Sequence, residues 1–215
     1  MWHASLRART LAITALAALA AFAAVAAVVL DGDAPGWDRS LFSTFYSGET
    51  AGPPGAAPNK SELLDAVMPL LYRAGHGPAI LLLVALTIAA AVISRRWRTA
   101  AFVAAAFCIV LLAGALKSLF ARPAPFESHG GVSFPSGHAI GSMAIALAIA
   151  ALLAPTRLRW PALAGVSAFV TAVAIAVVAD GGHWPSDVLG GWLLAISWLC
   201  LLVGTFRIPL ARTPT

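Results

Sequence analysis

The stretch "HWPSD" (183–187) sets Asp187 four residues after His183 at the end of a long apolar run. A carboxylate bonded to one imidazole nitrogen fixes the tautomer and leaves the other nitrogen free as a nucleophile. A second histidine, His138, lies 45 residues earlier in "FPSGHA" (134–139). There Pro135 and Ser136 open an apolar helix, and Gly137 allows close approach to the backbone. A helix N-terminus with free amides is a ready anion site, and a histidine in its first turn can give or take a proton near neutral pH. Read alone, the same residues make a helix cap beside a snorkelling histidine. Two such histidines with Lys117 upstream point instead to phosphoryl transfer through a covalent phosphohistidine. A metal site fits less well: two imidazoles and Asp187 would make three ligands, but Lys117 and Arg122 would repel a cation.

These residues sit in a chain of 215 residues that is 60% hydrophobic and 11% charged. Soluble domains carry about 25% charged residues, so this is the composition of a membrane protein. Six segments approach the roughly 20 apolar residues needed to cross a hydrocarbon core: Leu11 to Leu30, Pro78 to Ser94, Thr99 to Phe120, Ser136 to Ala154, Pro161 to Ala179 and Val188 to Phe206. In lipid each must be a helix, because every backbone polar group has to be satisfied internally. The fold class expected is therefore an all-α bundle of six transmembrane helices. It forms one domain over 1–215, with an outer loop at 31–77 and a chemical region at 117–187.

With the N-terminus cytoplasmic, the inner helix ends carry Arg7, Arg9, Arg95, Arg96, Arg98, Arg157, Arg159, Arg207 and Arg212, nine of the fourteen basic residues, while all nine acids fall outside. The positive-inside rule then fixes the orientation. The net charge of +5 reflects this topology; arginines scattered at helix ends do not make a nucleic-acid surface. Lys117, Arg122, Glu127, His129, Ser136, His138, Asp180, His183 and Asp187 all map to one outer face. Ionisable groups at such positions are costly and hence functional candidates. The basic start, apolar stretch and Ala-x-Ala triplets of the first segment also fit a cleaved signal peptide, but its apolar stretch is longer than such signals have, and a retained helix is expected.

The outer loop holds two short helical candidates around the turn-rich "AGPPGAAP" (51–58). In the first, Trp37, Leu41, Phe45 and Tyr46 share a side and Asp38 is the expected cap. The second opens on a box-like cap, Asn59 with Glu62. It is bent at Pro69 and either lies in the membrane interface or covers the bundle. Cys108 and Cys200 lie in apolar runs without metal-ligand spacing and receive no role. Gly137-x3-Gly141 is a small-residue pattern that serves packing within one bundle as well as between copies.

The order of "KSLFARPAP", "PSGH" and "HWPSD" resembles the type 2 phosphatidic acid phosphatases, relatives of the vanadium haloperoxidases. The resemblance implies that His183 attacks phosphorus, Asp187 orients it and His138 protonates the leaving group. It implies that Ser136 and the Gly137 amide hold phosphate oxygens, that Lys117 supplies charge, and that no metal or other cofactor takes part. Two positions depart from the family pattern. A lysine, six residues and Arg-Pro would give arginine where Ala124 stands, and an arginine six residues before the nucleophile would fall on Val177. Arg122 is the expected substitute in substrate binding. Five residues along a helix land about 140° from Lys117, but Pro123 disfavours helix at Arg122, so its side chain can swing in. His129 is a second substitute.

Two functional classes follow. One is a membrane phosphatase acting on a lipid phosphate or diphosphate, undecaprenyl diphosphate among them, at the outer face of a bacterial plasma membrane, with both termini cytoplasmic. The bilayer and its lipid substrate are then the partners; neither nucleic acid nor a protein partner is implied. The other is a catalytically depleted relative that binds an anionic lipid or a membrane partner. Retention of a nucleophile, its orienting acid and a proton donor favours the enzyme. A haloperoxidase fits least, since vanadate needs the missing arginines even more.

Overall fold

The computed structural model describes residues 2–30, 33–46, 62–75, 77–126 and 131–210. Its secondary structure is helical: α1 (Trp2–Val29), α2 (Gly36–Phe45), α3 (Glu62–Gly75), α4 (Gly77–Ile93), α5 (Trp97–Phe107), α6 (Ile109–Phe120), α7 (Gly137–Leu153), α8 (Arg159–Ala179) and α9 (Pro185–Thr205). Among the described residues no strand forms, only one antiparallel bridge between Pro123 and Val132.

Helices occupy all six apolar segments of the sequence, but by different means. Four stretches are long and apolar enough to cross a membrane singly: Leu6–Val29, Trp97–Phe120, Arg159–Ala179 and Pro185–Thr205. The second of these is α5 and α6 in succession, interrupted at Cys108. A fifth would join Val67–Gly75 of α3 to α4 across a bend of 52°. The remaining segment, α7, has 17 residues. That is a rise of about 25 Å, short of the roughly 30 Å hydrocarbon core.

The shortness of α7 goes with its place in the bundle. It lies against α8 and α9 and also against α4, α5 and α6, and most of its residues are buried, from Ala139 to Ala151. A helix wrapped in protein is not obliged to meet lipid headgroups at its ends. Its alanine and glycine content allows neighbours to approach closely. A Cβ added at Gly141 would meet Val110, Ile80 and Phe107 only at ordinary van der Waals distance, so this position faces its neighbours inside the bundle with room for one more carbon. Leucines such as Leu82, Leu86, Leu111 and Leu119 point outward, as lipid-facing surfaces require.

Two contacts set the rest of the frame. Along α1 the buried residues Ala15, Ala18, Phe22, Ala26 and Val29 recur every three or four positions, one helical face. That face lies on α9, where the Ser197 hydroxyl donates to the Ala15 carbonyl at 2.9 Å. The N-terminal ends of α7 and α9 meet even more closely. A Cβ added at Gly191 would lie 2.9 Å from both the Ala139 Cβ and the Ser136 carbonyl oxygen, and one added at Gly190 would lie 2.5 Å from the Phe134 ring. Phe134 is itself fully buried, stacked on Phe22 and edge-on to Phe120. Gly190→Ala should therefore force this ring to move and cost about 1–3 kcal/mol, read as a fall in unfolding temperature in detergent. The same change with Phe134→Leu should recover most of the loss.

Candidate active site

The site is assembled where α6 ends and α7 and α9 begin. The α6 helix stops at Ala121, held in the left-handed region at φ 46°, so the chain leaves the helix before Arg122, as Pro123 dictates. Residues 122–123 then pair with 132–133: Ser133 N–H donates to the Arg122 carbonyl at 2.7 Å and its hydroxyl to the Pro123 carbonyl at 3.1 Å. This pairing carries the chain back toward Lys117, whose Nζ donates to the Val132 carbonyl at 2.9 Å. Ser136 is the N-cap of α7, its hydroxyl accepting the Ala139 N–H at 3.4 Å. Its own N–H donates to the Asp187 carbonyl at 3.0 Å, tying the starts of α7 and α9 together. Before α9, Gly181 turns the chain at φ 84°, and a side chain there would meet the rings of Phe126 and Tyr46. Only glycine suits that position.

A cavity of about 400 Å³ opens among these elements. Lys117, Gly137, His138 and His183 line its polar part, with Tyr72 of α3 beside them, while Ile80, Phe107 and Val110 line an apolar part. The imidazole rings of His138 and His183 stand 6.0 Å apart, centroid to centroid, and inclined at 71°. The Tyr72 ring lies 4.6 Å from that of His138. A Cβ added at Gly137 would meet nothing within 4 Å, so the first turn of α7 presents open backbone to the cavity.

Behind His183 stands Asp187. Its Oδ2 lies 3.6 Å from His183 Nδ1, beyond hydrogen-bond length, and accepts the Trp184 N–H at 2.8 Å. Its Oδ1 accepts from Arg122 Nη1 at 2.6 Å. The carboxylate is thus fixed from two sides and faces the imidazole, leaving His183 Nε2 for the cavity.

The arginine that holds Asp187 is the largest fully buried side chain among the described residues. Its Nη1 also donates to the Ser186 hydroxyl at 2.6 Å, and its Nη2 donates to Asp38 Oδ2 at 2.9 Å. Asp38 in turn accepts the Ser186 N–H at 2.8 Å and the Ser186 hydroxyl. The Trp184 ring covers the guanidinium, 5.6 Å from Cζ to the ring centroid, within cation–π range. Arg122 therefore leaves the helix as expected, but its guanidinium is spent on Asp38, Ser186 and Asp187 and does not line the cavity. Asp38 differs from expectation too. Its side chain caps the start of α9 and makes no cap bond to α2, whose N-cap is Pro35. An N-terminal turn of another helix offers the same unsatisfied amides as its own.

The other sequence candidates divide. Lys117, Gly137, His138 and His183 come together on the cavity; Ser136 is buried behind it, and Asp187 is buried behind His183. Asp180 is exposed at the end of α8 and does not line the cavity. Glu127, His129 and Asn59 lie outside the described residues. Of the two positions where the family pattern has arginine, Ala124 lines the cavity, whereas Val177 is fully buried in an apolar cluster with Phe42, Val173 and Trp184. Asp38, Ser186 and Tyr72 were not anticipated here. Ser186 sits inside "HWPSD" and Asp38 is a lone acid on an amphipathic helix, but their partnership spans 148 residues and leaves no local signal.

The sequence profile of the PAP2 superfamily matches residues 98–208. The fold is similar to the crystal structure of the first transmembrane PAP2 type phosphatidylglycerolphosphate phosphatase from Bacillus subtilis, with a TM-score of 0.71 over 90% of this chain and 96% of that one, at 20% sequence identity. No match is found among curated proteins. Removing one partner from a buried ion pair typically costs about 3–5 kcal/mol, because the other charge is left uncompensated. Arg122→Met should accordingly lower stability by that order, and Asp38→Asn by less, both measured by thermal unfolding in detergent. If Arg122→Met unfolds like the unaltered protein, the buried network contributes nothing to the fold.

Proposed function

Since the chain belongs to the PAP2 superfamily, we propose that it is an integral membrane phosphatase that hydrolyses a lipid phosphate or diphosphate through a phosphohistidine on His183. The observation that carries this reading is the pair of imidazoles 6.0 Å apart on one cavity, the first backed by Asp187 and the second in the first turn of α7. In the first step His183 Nε2 attacks phosphorus, the bond from phosphorus to the lipid or lipid-phosphate oxygen breaks, and His138 gives that oxygen its proton. In the second, water attacks the phosphohistidine, His138 takes a proton from it, and inorganic phosphate leaves. Asp187 stabilises the positive imidazole that forms on phosphorylation. Lys117 and the α7 N-terminus offset the phosphate charge, and the apolar wall of Ile80, Phe107 and Val110 suits the lipid beyond the headgroup.

The remaining finer features belong to the same reading: six helices crossing the bilayer, the site on the outer face of a bacterial plasma membrane, catalysis without a metal, and both termini cytoplasmic. The arginine distribution supports that orientation. The share of the α3–α4 pair and of the short α7 in the span count rests on the apolar character of both.

A second reading has one observation in its favour. Lys117 is the sole Lys or Arg among the described residues lining the cavity, and Arg122 is bound by carboxylates. A single removed clamp can cost 10² to 10³ in rate, so the chain would then bind an anionic lipid without turning it over.

Phosphate release from a panel of lipid phosphates and diphosphates by the purified protein, beside His183→Ala, separates the two. Release that vanishes in His183→Ala is the expected result; lipid binding that survives the change with no release from either protein would establish the binder. Ala124→Arg should raise the rate, because this position reaches the cavity. Val177→Arg should lower stability, because it drives a charge into packed apolar side chains.

A further inference from the structure

At the end of the bundle opposite the histidines, two hollows share Leu11 and Val203 as a common wall. One, of about 560 Å³, lies between the start of α1 and the end of α9 and carries Arg7 and Arg207. The other, of about 580 Å³, runs between α1, α7, α8 and α9 and is apolar, lined by residues such as Leu147, Ala151, Leu163 and Leu199, with Arg159 at its edge. No carboxylate lines either hollow among the described residues. Trp160 stands beside the apolar hollow, 64% exposed, with the Arg159 guanidinium 5.0 Å from its ring centroid. An exposed tryptophan paired with arginine is typical of headgroup depth. The site is therefore two cations in a hollow that adjoins an apolar one across Leu11 and Val203, at the level where headgroup meets acyl chain.

The backbone at Arg207 adds an independent observation. Arg207 is held at φ 49°, a left-handed conformation that glycine adopts without penalty and that other L-residues rarely take. It closes α9 with the Ile208 N–H donating to the Val203 carbonyl at 3.0 Å, a turn in which glycine is usual. Arg95 closes α4 in the same way, at φ 54° with Arg96 N–H on the Ala91 carbonyl, but lines neither hollow.

We propose that Arg7 and Arg207 bind the phosphate of an anionic phospholipid whose acyl chain lies in the apolar hollow along α9. This is a second lipid site, at the far end of the bundle from the histidine cavity. An apolar hollow beside the cations favours a lipid over free phosphate as the occupant, and the cations favour an anionic headgroup over a zwitterionic one.

The test is lipid retention by the full-length protein in native mass spectrometry, with dioleoyl phosphatidylglycerol and dioleoyl phosphatidylcholine as probes. The unaltered protein is compared with Arg207→Gly, Arg7→Gln and Arg95→Gly. Lipid held at the histidine cavity is common to all four, so differences among them report the far site. Arg207→Gly and Arg7→Gln should each weaken phosphatidylglycerol binding about fivefold, the effect of one basic residue at a membrane surface, with phosphatidylcholine unchanged. Arg95→Gly should leave both unchanged. Because glycine relieves the left-handed residue, Arg207→Gly should unfold in detergent no earlier than the unaltered protein and keep its phosphatase activity. Equal loss in Arg95→Gly would reduce the effect to diffuse surface charge and overturn the site. So would equal retention of the two lipids by the unaltered protein, earlier unfolding of Arg207→Gly, or displacement of phosphatidylglycerol by inorganic phosphate alone.

Discussion

The site depends on one buried cation. Arg122 holds Asp187 through Oδ1, and Asp187 faces His183; the same guanidinium holds Asp38 and thereby fastens α2 to the start of α9. A charge removed from water must be met by charge and hydrogen bonds or it unfolds its surroundings. Here two carboxylates, a hydroxyl and an aromatic face supply them. The α2 helix is thus tied to the histidine cavity by electrostatics as well as by the apolar cluster of Phe42, Tyr46 and Trp184. Loss of Arg122 reaches the orientation of His183 without any direct contact between the two.

This arrangement also explains a departure from the family's spacing. With four residues between Lys117 and Arg122 in place of six, the arginine falls just past the end of α6 and turns inward under Trp184, while Ala124, two residues later, lines the cavity. The cation thus stands behind Asp187 and not on the cavity. At the other departure, Val177 is fully buried in an apolar cluster with Phe42, Val173 and Trp184. The two positions therefore differ in setting: Ala124 lines the cavity, whereas Val177 is packed inside.

How far all this could be read from the chain follows from the range of each interaction. The helices were legible because apolar length is a local signal: each of the six segments coincides with helix. The convergence of Lys117, His138 and His183 was legible because all three lie at helix ends on one face. Asp38 was readable only as a local cap, since a side chain's choice between its own helix and another is settled by packing 148 residues away. For Arg122 the chain gave its exit from the helix, through Pro123, but not its direction. The break at Cys108 and the shortness of α7 were hidden as well, because apolar composition does not record where a helix is interrupted or how much protein surrounds it.

The acids pose the last question. A site for phosphate would be poorly served by free carboxylates, yet Asp38, Asp180 and Asp187 all lie at the end of the helices where the histidines stand. The fold answers by burying two of the acids close to this site. Asp38 and Asp187 are fully buried, share one arginine, and direct their remaining oxygens at the Ser186 and Trp184 amides where α9 begins. A helix N-terminus favours negative charge, so the charge that Arg122 leaves over is met in part by the start of α9. What faces the cavity is then Lys117, the two imidazoles and the start of α7, a surface suited to an anion although the sequence around it is acidic.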